Sequence, residues 1–257
     1  MLLAIDVGNT NIVIGVFRGE TLTHSWRLTT IRERTSDELG ILLTDLCNRY
    51  EVRQPDISGI VIASVVPPLT STLVAMVSEY FGRVPLLFEP AVNAGIPVLI
   101  DNPAEVGADR VVNSIAAFAS YGTGLPIIVI DFGTATTFDA VSAKGEYLGG
   151  VICPGPQVSA DALVQRTAKL PRIDVRKPAR VIGTNTIGAM QSGLFWGYVD
   201  MVEGLVRRMK VELGGSAVVV ATGGLATIVA PEASCVDHID QELTLRGLRL
   251  VWERNQK

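Results

Sequence analysis

Two stretches of the chain order their apolar and polar residues in the same way. Residues 2–9 read LLAIDVGN and residues 127–134 read IIVIDFGT. Each starts as a continuous apolar run, the pattern of a strand buried on both faces. Each then gives Ile-Asp, one apolar residue, Gly, and small amide or hydroxyl residues. Apolar positions resume at 12–17 and 138–141, and polar turns follow at Arg18-Gly19-Glu20 and Lys144-Gly145-Glu146. The two aspartates, Asp6 and Asp131, stand about half a chain length apart. A repeat at that spacing predicts two similar half-domains, residues 1–117 and 118–257, facing one another with one acid from each converging on a cleft.

Between and after the repeats the periodicity predicts strands at 2–6, 11–17 and 21–28. A helix around Asp37 to Leu46, a β run at 59–66 stopped by Pro67-Pro68, and a helix over 69–81 follow. Residues 86–88 and 98–100 read as short strands. Asn102-Pro103-Ala104-Glu105 carries helix-start signals, a capping amide followed by Pro, with Gly107 as a break before residues 111–121. The second half reads as strands at 127 onward, 137–141 and 147–152, then a helix at 157–170, a loop at 171–182 and the longest helix at 186–213. A strand at 217–221 and a helix at 243–254 complete it. The pattern predicts mixed sheets flanked by helices, an α/β class.

Composition narrows the function. Hydrophobic residues make up 48%, enough for a large core, and the net charge of −4 argues against a nucleic-acid-binding face. No apolar run reaches the roughly 18 residues that span a bilayer, so no membrane partner is expected. Asp6 interrupts the apolar start and no basic region precedes it, which is unlike a signal peptide. Cys47, Cys153 and Cys235 are odd in number and widely spaced, as buried thiols in a reducing cytoplasm would be. His24 and His238 are the only histidines, so a His-based triad or zinc site has too few members. Trp26, Trp196 and Trp252 read as packing residues.

The repeated turn suits phosphate. Gly lets the backbone turn with its N–H groups outward, and Asn9, Thr10 and Asn11, or Thr134, Thr136 and Thr137, add neutral donors. A carboxylate there needs a cation or water between itself and the anion. The plain alternative is a hairpin whose Asp and Asn satisfy turn backbone. Val106-Gly107-Ala108-Asp109-Arg110 sets an acid and a base side by side near a helix start. Asp109 there either takes a proton from a substrate hydroxyl or compensates the helix dipole; Arg110 holds a carboxylate or is solvated. Thr222-Gly223-Gly224 ends a strand, where a flat ring such as adenine can approach or the chain simply turns. Gly188, Ser192, Gly193 and Gly197 on the long helix allow close packing, within the chain or between subunits. There is no Gly-x-x-x-x-Gly-Lys-Ser/Thr segment, so a nucleotide would be bound by a different architecture.

Taken in order, these motifs resemble type III pantothenate kinase: Asp6 to Asn11, Asn102-Pro103 with Val106 to Arg110, Asp131 to Thr137, Gly149-Gly150 with Pro154-Gly155, Gly183 with Asn185-Thr186, Gln191 to Gly193, and Thr222 to Gly224. The resemblance runs from residue 1 to about 254. It implies duplicated actin-like (ribonuclease H-like) half-domains and transfer of the ATP γ-phosphoryl group to the 4′-hydroxyl of pantothenate, the first step towards coenzyme A. It also implies Mg²⁺ with ATP, a monovalent cation (K⁺ or NH₄⁺) and a homodimer. By motif, Asp6, Val7, Gly8, Asn9, Thr10, Asn11, Ile12 and Val13 would form the first phosphate loop, Asp6 being near Mg²⁺. Asp109 would be the general base, and Gly107, Ala108, Asp109 and Arg110 would line the pantothenate site. Asp131 would hold the monovalent cation, Gly133 and Thr134 would meet ATP phosphate, and Gly223 and Gly224 the adenosine side. Thr186 would contact pantothenate across the dimer. One departure is Ile100, where many members carry Tyr in the substrate pocket. The other readings are an actin-like kinase for another small hydroxylated or acid substrate, and a non-catalytic accessory member of the family.

Overall fold

A computed structural model describes residues 1–256. The chain divides into two compact units, and each has its own five-stranded sheet. The first unit comprises residues 1–96, 101–116 and the chain from Thr244; the second comprises 97–100 and 117–243.

In the first unit β1 (Leu2–Val7), β2 (Asn11–Arg18) and β3 (Thr21–Thr29) form an antiparallel meander. Helix α1 (Ser36–Arg49) follows, started by a capping box in which Thr35 and Glu38 satisfy each other's backbone N–H. Then β4 (Gly59–Ser64) pairs in parallel with β1. Helix α2 (Pro67–Phe81), β5 (Leu86–Leu87) and α3 (Pro90–Asn93) complete this stretch, giving the order β3-β2-β1-β4-β5. The core gathers Leu3, Ile5, Ile14 and Ile62 against Leu39, Leu43, Leu69 and Leu73. Helix α4 (Ala108–Tyr121) belongs to the first unit through Ala116 and to the second from Ala117.

The second unit repeats the plan. β6 (Ile127–Phe132), β7 (Ala135–Val141) and β8 (Tyr147–Pro154) form a meander. Helices α5 (Pro156–Arg166) and α6 (Thr186–Glu212), β9 (Val218–Thr222), α7 (Ala226–Val229) and β10 (His238–Ile239) follow. β9 lies parallel to β6, and the order β10-β9-β6-β7-β8 is that of the first sheet read from the other edge. Even the burial pattern of β1, buried throughout except at its aspartate, recurs residue for residue in β6.

Several expectations need correction. The tail helix α8 (Leu243–Arg254), expected in the second half-domain, packs in the first unit. Its Trp252 lies where a Cβ on Gly59 would come within 2.6 Å of the indole, and Thr244 Oγ1 donates to Asn113 Oδ1 at 2.7 Å. Residues 98–100 make one isolated bridge, Val98 to Tyr147, and no strand. Asn102 caps only a 3-10 turn, Pro103–Glu105; the break at Gly107 is where it was expected, and α4 starts at Ala108 rather than at residue 111. The helix expected over 157–170 stops at Arg166. The tryptophans pack as expected, Trp26 stacking with His24 and Trp196 meeting Phe195 edge-on, and His238 stacks with Tyr121. All three thiols are free; burial pushes that of Cys47 up to about 11. No helix among the described residues is long and apolar enough to cross a membrane.

Candidate active site

The two repeated turns occupy equivalent places. Asp6 pairs with Val13 across the meander and with Ala63 on the parallel side; Asp131 pairs with Thr137 and Thr222. Each aspartate is the one half-exposed residue of an otherwise buried strand. A carboxylate at the carboxyl end of a central parallel strand is where ligands of open α/β sheets bind.

The turns differ in length. The last pair of β1 and β2 is Val7 with Ile12, so residues 8–11 form the first turn. It is closed by Gly8 N–H to Asn11 O at 2.9 Å and tied to the residue just after β3 by Thr30 Oγ1 to Gly8 O at 2.7 Å. Asn9 and Thr10 are exposed at its tip, while Val7 and Ile12 are buried, so those two offer only backbone to a ligand. Asn11 and Val13 are half-buried. The second turn, residues 133–135, is one residue shorter and closes by Gly133 N–H to Ala135 O at 3.1 Å. Gly133 and Thr134 are exposed. Backbone surrounds this turn. Gly155 N–H donates to Thr134 O at 2.9 Å, and a Cβ on Gly155 would lie 2.5 Å from Gly133 O.

Gly223 sits directly on the second aspartate. Its φ is +93°, and a Cβ there would lie 2.6 Å from Phe132 N and closer still to Asp131 Oδ1. Gly223 O accepts from Gln241 Nε2 at 3.1 Å, and Gly224 next to it is exposed. The glycine pair thus brings the end of β9 against the aspartate turn, a constraint stronger than the open surface for a flat ring read from sequence.

Asp109 opens α4 in the first unit. Gly107 is half-buried and Ala108 buried in front of it. Asp109 Oδ1 accepts from the Arg110 backbone N–H at 2.9 Å. Burial raises its carboxyl above the usual range, and the Arg110 N–H and charge oppose this without winning. A helix terminus is worth about 0.3–1 kcal/mol, less than one pKa unit, so it offsets only part of the desolvation. Asp109 is therefore a group with unusual basicity for a carboxylate, the property a general base needs.

Thr186 is the first residue of α6, exposed behind the cap that Asn185 makes to Gly188 N–H at 2.8 Å. The loop before it is pinned by Ser192 Oγ to Val181 O and by Gln191 Nε2 to Asp174 O at 3.4 Å. A cavity of about 510 Å³ opens beside it, lined by Gln157, Asp161, Arg172, Arg176, Ile187 and Gln191. Ile100, half-buried in the second unit, packs against Gly149.

Among the described residues no three His, Cys, Asp or Glu gather to hold a metal ion. Single carboxylates beside amide, hydroxyl and backbone oxygens suit a hard cation that arrives with a phosphate ligand and keeps several waters. The sequence reads Pro154-Gly155 as lining a cleft or shaping a loop and gives no sign of its contact with the second turn; it also missed Tyr198, which donates to the Pro154 carbonyl, and Ser159, whose hydroxyl meets that of Tyr198. A tyrosine at a core position of a long helix carries no local signal of a hydrogen bond to a distant carbonyl.

Residues 2–208 match the sequence profile of the type III pantothenate kinase family. The type III pantothenate kinases of Moorella thermoacetica and Myxococcus xanthus are each 52% identical over 255 residues, covering 99% of this chain and 100% and 99% of theirs. Among solved structures, a putative Baf family transcriptional activator from Campylobacter jejuni superposes with a TM-score of 0.57 at 16% identity, over 99% of this chain and 98% of that one. A putative N-acetylglucosamine kinase from Porphyromonas gingivalis gives 0.53 at 12% identity, with both chains fully covered. Those likenesses extend to fold alone, and they agree with two duplicated actin-like units. With its residues 2–208 matching the family profile and about half of its positions identical to bacterial kinases over its whole length, the chain belongs to the type III pantothenate kinase family.

Proposed function

We propose that this chain transfers the γ-phosphoryl group of ATP to the 4′-hydroxyl of pantothenate, the first step towards coenzyme A. The observation that carries the reading is 52% identity across essentially the whole of relatives named type III pantothenate kinase. Its test is ADP release measured with pantothenate, hexoses and acetate in parallel. Turnover with pantothenate alone is expected; turnover only with a sugar or with acetate overturns it.

Phosphoryl transfer has a loose transition state, so positioning and charge neutralisation carry most of the catalysis. Asp109 orients the attacking hydroxyl and accepts its proton, with Gly107, Ala108 and Arg110 beside the substrate and Arg110 holding its carboxylate. The Asp6 turn, residues 6–13, and Gly133-Thr134 present backbone N–H and small side chains to phosphate. A kinase of the actin-like fold uses ATP with Mg²⁺, which supplies charge neutralisation at the β- and γ-phosphates. Asp6 is the residue suited to hold it, through water, and Gly223-Gly224 faces the adenosine side.

Asp131 is the residue suited to a monovalent cation, K⁺ or NH₄⁺. The wild-type enzyme is expected to be activated by K⁺ over Na⁺, and Asp131→Ala to lose that preference. An Asp131→Ala enzyme with full K⁺ activation removes this assignment.

A homodimer formed through α6 accounts for a cost that the chain alone leaves unexplained. Gly193 and Gly197 are exposed and a Cβ at either meets nothing, yet each glycine costs a helix about 1 kcal/mol relative to Ala. Exposed Ile182 and Ile187 flank Thr186 at the start of the same helix. In sedimentation, wild type is expected at twice the chain mass and Gly193→Leu/Gly197→Leu at the chain mass, with a raised KM for pantothenate as Thr186 is withdrawn. A double variant that remains dimeric contradicts this interface.

A further inference from the structure

We propose that Tyr198 is a positioning residue for the second phosphate turn, acting through Ser159 and the Pro154-Gly155 segment; this rests on the reading of Gly133 and Thr134 as an ATP-phosphate turn. Tyr198 lies on α6 with 8% of its surface exposed. Its hydroxyl donates to the Pro154 carbonyl and stands 2.8 Å from the Ser159 hydroxyl. A carbonyl only accepts, so the Tyr198 proton points to Pro154, and Ser159 must donate to Tyr198. Burial raises the Tyr198 phenol above its ordinary range, which keeps that proton in place.

The next residue passes this arrangement to the turn. Gly155 O accepts from Ser159 N–H at 3.0 Å, and Gly155 N–H donates to Thr134 O at 2.9 Å. Pro154 also pairs with Ala135 in the β7–β8 register. The contact between Gly155 and the turn is backbone on backbone, with no room for a Cβ, so neither side can give by changing a rotamer. A displacement of Pro154 is therefore transmitted to Thr134. Tyr198 touches this turn only through that chain of bonds. Removing its hydroxyl deletes two hydrogen bonds on the far side and leaves the turn's own residues intact. Misplacement of positioning groups far from the chemistry is known to cost as much as about 10²-fold in rate.

The test compares Tyr198→Phe, Ser159→Ala and Thr134→Ala, measuring ADP affinity by calorimetry and both KM values. Tyr198→Phe is expected to weaken ADP binding and raise the KM for ATP about fivefold to tenfold, the worth of one or two lost hydrogen bonds. Ser159→Ala should move the same quantities less, and the KM for pantothenate should stay within about twofold, whereas general loosening of the fold would move both KM values together. If Thr134→Ala weakens ADP while Tyr198→Phe and Ser159→Ala leave it unchanged, or if both KM values rise together, the positioning role is wrong. If Thr134→Ala is also without effect, the phosphate-turn reading fails and takes the proposal with it.

Discussion

Replacing Asp109 by Asn is expected to lower kcat about 10²–10³-fold while leaving ATP affinity near that of wild type, the loss typical of a removed general base. The substitution keeps size and one acceptor oxygen, so α4 and the Arg110 N–H contact survive. The pH profile of kcat/KM should show the same group. Burial raises the Asp109 pKa, so its active, ionised form appears only above the ordinary aspartate range, and activity falls on the acid side earlier than an exposed aspartate would give. The sign for stability is opposite. A carboxyl whose folded pKa is raised binds its proton more tightly folded than unfolded, so its ionisation costs stability as pH rises from the unfolded pKa through the folded one. Above that window Asp109→Asn, which cannot ionise, should melt at a higher temperature than wild type; at low pH the difference should vanish. A variant with near-wild-type turnover removes Asp109 as the base. A lower Tm at neutral pH contradicts the desolvation account.

Gly223→Ala is expected to have the second large effect. The new methyl needs a positive φ that L residues rarely adopt, at about 1–3 kcal/mol, and it collides with Asp131 Oδ1 and Phe132 N. Because Phe132 N belongs to the central strand β6, relief must come from moving the Asp131 carboxylate or the end of β9. ADP affinity and K⁺ activation should both fall by at least about tenfold, together with a lower Tm. Gly82→Ala, also at positive φ but facing open space, serves as the control: it should lose stability and keep both binding properties. Equal losses of ADP affinity in the two variants would place the Gly223 effect in global stability.

The duplicated architecture was legible because each buried strand carries one polar interruption at the same place, Asp6 and Asp131, and because the two meanders share their apolar phase. The long α6 was legible from its period, which predicted 186–213; the Asn185 side chain that caps it was not read from the sequence. Long-range partners were not. The apolar face of residues 243–254 says that the helix is buried, but not that Trp252 lies on Gly59 in the first unit. At Asn102 the local signals were real, and the cap is made; it serves a single 3-10 turn because Gly107 separates it from α4. The Ile-Asp-x-Gly repeat also hid a difference of one residue between the turns, which only strand register reveals. Gly155 carried a turn signal that any loop could explain, and its contact with Thr134 depends on how β7 and β8 pair.

The central claim is a reaction, and the most direct measurement is ³¹P NMR of the enzyme with Mg²⁺, K⁺, ATP and pantothenate. The account predicts a phosphomonoester resonance that couples to the pantothenate 4′-methylene protons and grows in step with ADP. Growth of inorganic phosphate alone, or of a phosphoester only when a sugar replaces pantothenate, would contradict it.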